Sequence, residues 1–141
     1  MRSKSVILFY VFILFSTSLP SQDKKDSSGP YGYELVSDVM VPMRDGVKLA
    51  TDLYFPTKRG KRISGKLPAI LVRTPYSKTR GYPENTSAIY FTSHGYVTVY
   101  QDTRGRYNSE GIWHMLDDDG VDGHDTGKWM IEQPWSNGKY G

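Results

Sequence analysis

Two kinds of apolar patterning follow one another along this chain, and a polypeptide carrying both is confined to few folds. Val39 and Val41, then Val47, Leu49, Thr51, Leu53 and Phe55, alternate with other residues, the period-two signature of a strand. Between the two runs stands Arg44-Asp45-Gly46. An Asp-Gly pair in that setting supplies the positive φ that a hairpin turn demands. Two antiparallel strands are therefore predicted, over 36–42 and 47–55. Farther on, Pro68-Ala69-Ile70-Leu71-Val72-Arg73 and Tyr96-Val97-Thr98-Val99-Tyr100 show no alternation. Such short runs belong to strands covered by helices on both faces.

Helix signals fall between and after these runs. Pro83-Glu84-Asn85-Thr86-Ser87 offers side-chain oxygens to otherwise unpaired N–H groups at a helix start, and Gly95 is a favoured exit. Asp117-Asp118-Asp119 opens a second helical segment reaching Glu132, with its carboxylates at the positive end of the dipole. Gly127 inside that helix costs about 1 kcal/mol relative to Ala, which points to a close packing contact. Pro134 ends the helix, and Ser136-Asn137-Gly138 reads as a turn. Residues 56–66 read as a basic, solvated loop. The sum is an α/β chain: an antiparallel edge hairpin followed by a mostly parallel sheet with flanking helices.

Residues 1–21 carry a different message. Arg2 and Lys4 precede an unbroken apolar run over 6–15, followed by Ser16-Thr17-Ser18. That is the order of a secretory signal peptide, with cleavage after Ser18 or Ser21 equally compatible. The run is short of the roughly 20 residues that span a bilayer, so no stable membrane span is expected after cleavage. Residues 22–33 read as a flexible lead and 34–141 as one incomplete catalytic domain. The expected location is exported, periplasmic or secreted. The formal charge is +3; losing Arg2 and Lys4, with no acids, leaves +1 and no electrostatic footprint for nucleic acid. There is no cysteine, which excludes disulfides, thiolate metal sites and a cysteine nucleophile.

Four segments, in order, carry a resemblance: Val-Pro-Met-Arg-Asp-Gly-Val-Lys-Leu (41–49), Leu-Val-Arg-Thr-Pro-Tyr (71–76), His-Gly-Tyr-Val-Thr-Val-Tyr-Gln-Asp-Thr-Arg-Gly-Arg-Tyr-Asn-Ser-Glu-Gly (94–111), and Asp-Gly-His-Asp-Thr (122–126) with the terminal run 133–141. Through them the chain resembles the X-Pro dipeptidyl-peptidase/cocaine-esterase (CocE/NonD) family of α/β-hydrolases, which includes α-amino-acid ester hydrolases and glutaryl acylases. The resemblance covers about 35–141. It implies the N-terminal part of an α/β-hydrolase fold and a serine hydrolase of acyl ester or amide bonds, working through an acyl-enzyme. A small acyl ester, amide or short peptide is the implied substrate, and no cofactor is implied.

In that family a strand after the terminal Asn-Gly-x-x-Gly ends in G-x-S-x-G, whose sharp turn exposes the serine oxygen. No G-x-S-x-G occurs in these 141 residues, and the triad order Ser, Asp, His puts all three members downstream. The expected chain is inactive by itself. One catalytic element falls inside it: the family uses a tyrosine hydroxyl just after the third strand as an oxyanion donor, and Tyr76 matches that position. A neutral phenol can donate such a bond.

Other residues invite roles and are read as structural. Ser109, in Tyr107-Asn108-Ser109-Glu110-Gly111, lacks the first Gly of the motif. His94, His114 and His124 have no serine elbow to serve. Asp117, Asp118, Asp119, Asp122 and Asp125 fail a calcium-loop register, since Gly120 at the sixth position puts Met115 first and Gly123 puts Gly120 third. Asn85-Thr86-Ser87 matches a glycosylation sequon. Asp102 and Arg104 lie where ligands bind in open α/β sheets, and are expected to brace the loop as a charge pair. The competing function class is a non-catalytic exported binding module or a degenerate hydrolase copy.

Overall fold

The structure is a computed structural model that describes residues 29–80, 86–115 and 117–141. The segment read as a signal peptide and most of the flexible lead lie outside the described residues, as does the helix-start chemistry at Pro83, Glu84 and Asn85, with its sequon. Among the described residues no helix is long and apolar enough to cross a membrane.

The hairpin forms as its residues demand. Strands β1 (Gly32–Pro42) and β2 (Lys48–Lys58) pair antiparallel. Arg44, Asp45 and Gly46 make the turn between Met43 and Val47, with Gly46 at φ +87. The Met43 N–H donates to the Val47 carbonyl at 2.8 Å and the Gly46 N–H to the Met43 carbonyl at 2.9 Å. One irregularity interrupts the ladder. Val36 faces Leu53 while Val39 faces Thr51, so two residues of β1 oppose Asp52. This bulge kinks the strand and carries Asp38 at φ 54.

The basic loop expected over 56–66 is partly strand. β2 runs on to Lys58 and turns through Arg59 (φ 53) and Gly60 (φ 73) into a short β3 (Lys61–Arg62). Two positive φ values in a two-residue turn match the strand twist, a geometry that no Asn-Gly or Asp-Gly pair advertised here. Arg62 is tied across to Glu34 at 2.7 Å and lies 3.9 Å above the Phe55 ring.

Next come β4 (Leu67–Thr74), α1 (Thr86–Ser93), β5 (Val97–Asp102), α2 (Asp119–Glu132) and β6 (Ser136–Tyr140). The sheet order is β1-β2-β5-β4-β6, with β3 beside β2. β2 and β5 pair antiparallel, whereas β5–β4 and β4–β6 are parallel. The Ser136-Asn137-Gly138 turn is thus overturned. Those residues open β6, whose backbone is taken up by β4: Ser136 pairs with Leu67 and Tyr140 with Ala69.

Alternation decides which helix each strand residue meets. On one face Leu53, Phe55, Ala69, Val97 and Val99 bury with Met130 of α2, and Trp129 and Trp135 pack against them. Val41, Met43 and Leu49 extend that core to the hairpin. On the other face the Thr98 hydroxyl lies 2.8 Å from that of Thr92 in α1, and Ala88 of α1 is fully buried. Fully burying an aliphatic side chain is worth about 1.5–3 kcal/mol, so Val41, Leu49, Val97 and Val99 weigh heavily in stability. β2 is covered on both faces from Leu49 to Thr57 despite its alternating sequence. Its polar members Thr51 and Asp52 are therefore buried with partners rather than solvated.

Helix ends follow local chemistry in one case and not in the other. α1 closes with Gly95 at φ +95. The Gly95 N–H donates to Thr92, the Tyr96 N–H reaches back to Phe91, and the Phe91 and Tyr96 rings meet. That is a Schellman exit with its hydrophobic contact. At the start of α2, Asp118 caps nothing with its side chain; the acids of that turn face Arg73 of β4 and Arg104 just beyond β5.

Two outcomes follow from this packing. A Cβ on Gly127 would run into the Tyr140 ring. Gly127→Ala should therefore lower unfolding free energy by about 1–3 kcal/mol, against the ordinary helix gain from alanine. Chemical denaturation should show the loss shrinking when Tyr140 is also cut to Ala.

The second concerns Arg44, which holds Asp125 of α2 through Nε at 2.9 Å and Nη2 at 2.6 Å. Those hydrogen bonds draw the Asp125 carboxyl down to about 2. A depressed carboxyl stabilises above its unfolded pKa, about 3.9, and loses that contribution as pH falls through its folded value. Melting temperature should drop between about pH 4 and 2, and Asp125→Asn should flatten that limb. With Arg44 exposed, the effect is no more than about 1 kcal/mol.

Candidate functional site

The carboxyl ends of β4 and β5 open on the same edge of the sheet, where open α/β sheets bind ligands. Three polar constructions meet there. The first is the turn after β4. The Tyr76 N–H donates to Thr74 Oγ1 at 3.0 Å, and the Pro75 carbonyl accepts from Arg106 Nε at 3.1 Å. The Tyr76 side chain is 64% exposed. It borders a cavity of about 210 Å³ with Pro75, Arg106, Trp113, Met115 and Asp119. The Arg106 guanidinium lies 4.9 Å from the Trp113 ring centre and 5.4 Å from that of Tyr107. The cavity therefore has an aromatic wall beside a cation, with one carboxylate on its rim.

The second lies on the α2 face. Arg104 grips Asp122 with two bonds, Nη2 to Oδ1 at 2.6 Å and Nε to Oδ2 at 3.0 Å, and reaches Asp45 of the hairpin turn through Nη1 at 2.7 Å. Arg73 donates to the Asp119 carbonyl at 2.6 Å and to its carboxylate at 3.0 Å, and Nη2 comes within 3.5 Å of Asp122. Gln101 links this group to the sheet, accepting from Arg73 at 3.0 Å and donating to Thr51 at 3.0 Å. The hydrogen bonds that Arg104 donates to Asp122 and Asp45 hold it above the ordinary arginine range. Burial works against the charge of Arg73, which Asp119 and Asp122 offset only in part.

The third lies on the opposite face. Lys78 is buried with 1% of its surface exposed, and its Nζ sits 2.7 Å from Asp38 and 3.0 Å from Asp52. Its main-chain N–H donates to Asp102 Oδ1 at 2.6 Å. Asp52 also accepts the Asp38 N–H at 2.9 Å, and Asn108 donates to Asp38 at 3.1 Å. Burial opposes the Lys78 charge, but its bonds to Asp38 and Asp52 leave it above the ordinary lysine range. Burial pushes Asp102 above the usual carboxylate range, opposed by its bond from the Lys78 N–H.

The residues singled out in the sequence fall unevenly among these groups. Asp102 and Arg104 both brace the edge, but not with each other as expected. Asp102 shares a face with Lys78, and Arg104 is carried round to Asp45 and Asp122. Asp119 and Asp122 serve arginines. Asp118 stands 3.9 Å from Arg104 and Asp125 binds Arg44. Among the described residues no group of three or more His, Asp or Glu is arranged to hold a metal ion.

Ser109 Oγ accepts the Ala50 N–H at 2.9 Å and donates to the Asp102 carbonyl at 2.8 Å; it is a loop brace. His94 donates through Nδ1 to Tyr90 at 2.7 Å, His114 is 3.8 Å from Asp118, and His124 is exposed on α2. Among the described residues, the polar contacts of His94 and His114 go to Tyr90, Ser93 and Asp118 rather than to Ser109 or Tyr76. Sequence reasoning passed over Lys78, Arg73 and Gln101. A lysine two residues past Tyr76 carries no signal of burial in its spelling; the only clue was Arg73 inside an otherwise apolar strand.

Comparison with known proteins agrees with this architecture. The family model described as X-Pro dipeptidyl-peptidase (S15 family) matches residues 45–141. Cocaine esterase of Rhodococcus is 44% identical over 112 residues, which are 77% of this chain and 19% of that protein. An α-amino acid ester hydrolase structure superposes with a TM-score of 0.59 at 31% identity, over 89% of this chain and 24% of the other. A CocE/NonD family hydrolase from Staphylococcus aureus gives a TM-score of 0.64 at 25% identity, over 77% and 22% respectively. The chain thus spans about a fifth to a quarter of these relatives. By the extent of the family match and the identity to its members, the chain belongs to the X-Pro dipeptidyl-peptidase (S15) family of esterase- and peptidase-type hydrolases.

Proposed function

We propose that this chain is the opening part of an exported serine hydrolase that cleaves acyl ester or amide bonds through an acyl-enzyme, with Tyr76 donating to the oxyanion. The observation that carries the proposal is the exposed Tyr76 on the rim of the cavity beyond β4, with β6 running parallel beside β4 toward the same edge. The pairing Ala69↔Tyr140, carried forward residue for residue, brings the level of Pro75 about five residues past Gly141. In the proposed scheme the nucleophilic serine sits on a turn at that level, beside the phenol.

In this scheme the serine oxygen attacks the acyl carbon and the carbonyl oxygen becomes an oxyanion. The Tyr76 hydroxyl and a backbone N–H after the serine stabilise it, the alcohol or amine departs, and water releases the acid. A pre-aimed donor of this kind contributes several kcal/mol. The aromatic and thioether wall of Tyr76, Trp113 and Met115 suits an apolar acyl or short peptide group. Export is supported by Arg2 and Lys4 ahead of the apolar run over 6–15.

Two measurements test the reading. The 141-residue chain alone should hydrolyse a p-nitrophenyl acyl ester no faster than buffer; turnover would show that the nucleophile lies within it and defeat the scheme. In the full-length protein, Tyr76→Phe should lower kcat by on the order of 10²-fold with little change in KM. An unchanged kcat would remove Tyr76 from the oxyanion hole and leave a non-catalytic packing role.

A further inference from the structure

We infer that Lys78 is a positioning residue for the oxyanion donor, acting through the backbone of the turn that presents Tyr76. The inference rests on the reading of Tyr76 given above. Its starting point is an inversion of polarity within three residues. Tyr76 is 64% exposed, whereas the Lys78 side chain is fully enclosed at 1%. Lysine is among the residues least often found buried, and its ammonium is here because Asp38 and Asp52 meet it at 2.7 and 3.0 Å. The ring of Tyr76, being exposed, is held little by its own contacts. Its direction is set by the seat beneath it.

That seat is fixed on both sides. Before Tyr76, Arg106 holds the Pro75 carbonyl and Thr74 Oγ1 takes the Tyr76 N–H. After it, Asp102 takes the Lys78 N–H at 2.6 Å while the ammonium is anchored under the bulge of β1. Between the anchors Ser77 is held at φ 81, a left-handed conformation that a residue other than glycine keeps only where its surroundings over-determine it. Asp38, the other end of the anchor, is also left-handed, at φ 54. One strained residue, Asp38, is thus a member of the ion pair, and the other, Ser77, directly precedes its lysine. Releasing that pair removes what keeps Ser77 strained, and the turn can relax with Tyr76 on it. A shift of about 1 Å at a catalytic group costs on the order of 10²-fold in rate.

The test is a double-mutant cycle in the full-length protein, read by steady-state hydrolysis of a p-nitrophenyl acyl ester. Lys78→Met keeps an unbranched side chain one atom shorter and removes the ammonium that binds Asp38 and Asp52. It should lower kcat by about tenfold with KM nearly unchanged, and cost nothing further when Tyr76 is already Phe. Independent, multiplying losses in the double variant would overturn the inference, because Lys78 would then act elsewhere than through the hydroxyl. So would an unchanged kcat in Lys78→Met. Tyr76→Phe alone tests the parent reading, so the two failures stay separate. Should Lys78→Met fold poorly, Asp38→Asn weakens the same contact from the half-exposed side and enters the same cycle with the same expected and overturning results.

Discussion

The bidentate grip of Arg104 on Asp122 is the interaction on which the rest of the arrangement depends. Asp122 is wholly buried and Arg104 nearly so. The pair joins the loop after β5 to the first turn of α2, and the free arm of the guanidinium adds Asp45 from the hairpin. Three segments distant in sequence are thereby locked at one corner of the sheet. Removing Arg104 would leave the buried Asp122 carboxylate with only Arg73, 3.5 Å away, and breaking a buried pair costs about 3–5 kcal/mol. With α2 seated this way, Met130 and Trp129 close the core, and Gly127 lets Tyr140 of β6 come alongside.

A second charge cluster works on the other face by the same rule. Residues of β5 alternate, so Gln101 points into the α2 side with Arg73 and Thr126, while Asp102 points to the side of Lys78. The sheet edge is thus stiffened from both sides, leaving the segment between, Pro75 and Tyr76, projecting from a rigid rim. The cavity beside it takes its walls from loops whose own backbones are tied down through Arg106 and Ser109. A rigid rim of this kind suits the oxyanion role proposed for Tyr76, since donors aimed in advance need no reorganisation as charge develops.

Legibility in the sequence divides along physical lines. The hairpin, the Gly95 exit and the Gly127 contact were readable because each is decided within a few residues by φ preference or side-chain volume. The parallel pairing of β4 with β5 was readable from their unbroken apolar runs. Other features were hidden. The alternating β2 was read as part of an edge hairpin, yet it lies inside the sheet between β1 and β5 and is covered on both faces. β6 looked like a turn, since Asn137 and Gly138 are poor strand residues; pairing with β4 overrides their preference. Asp102 and Arg104 are two residues apart and looked like partners, but the strand ends between them and each finds its counter-charge elsewhere. Tyr76 was singled out by family resemblance, and its exposure at the sheet edge is what the fold adds.

The sequence by itself determined the succession of elements, the turn chemistry and membership of a hydrolase family, because propensity, φ preference and motif spelling are local properties of the chain. Tertiary structure alone decided which charges meet. Lys78 finds Asp38 forty residues back, and Arg104 finds Asp45 and Asp122 on either side of it, because strand order and the β1 bulge carry them together. A buried ion must be paired wherever the fold brings it, and no local pattern records that partner.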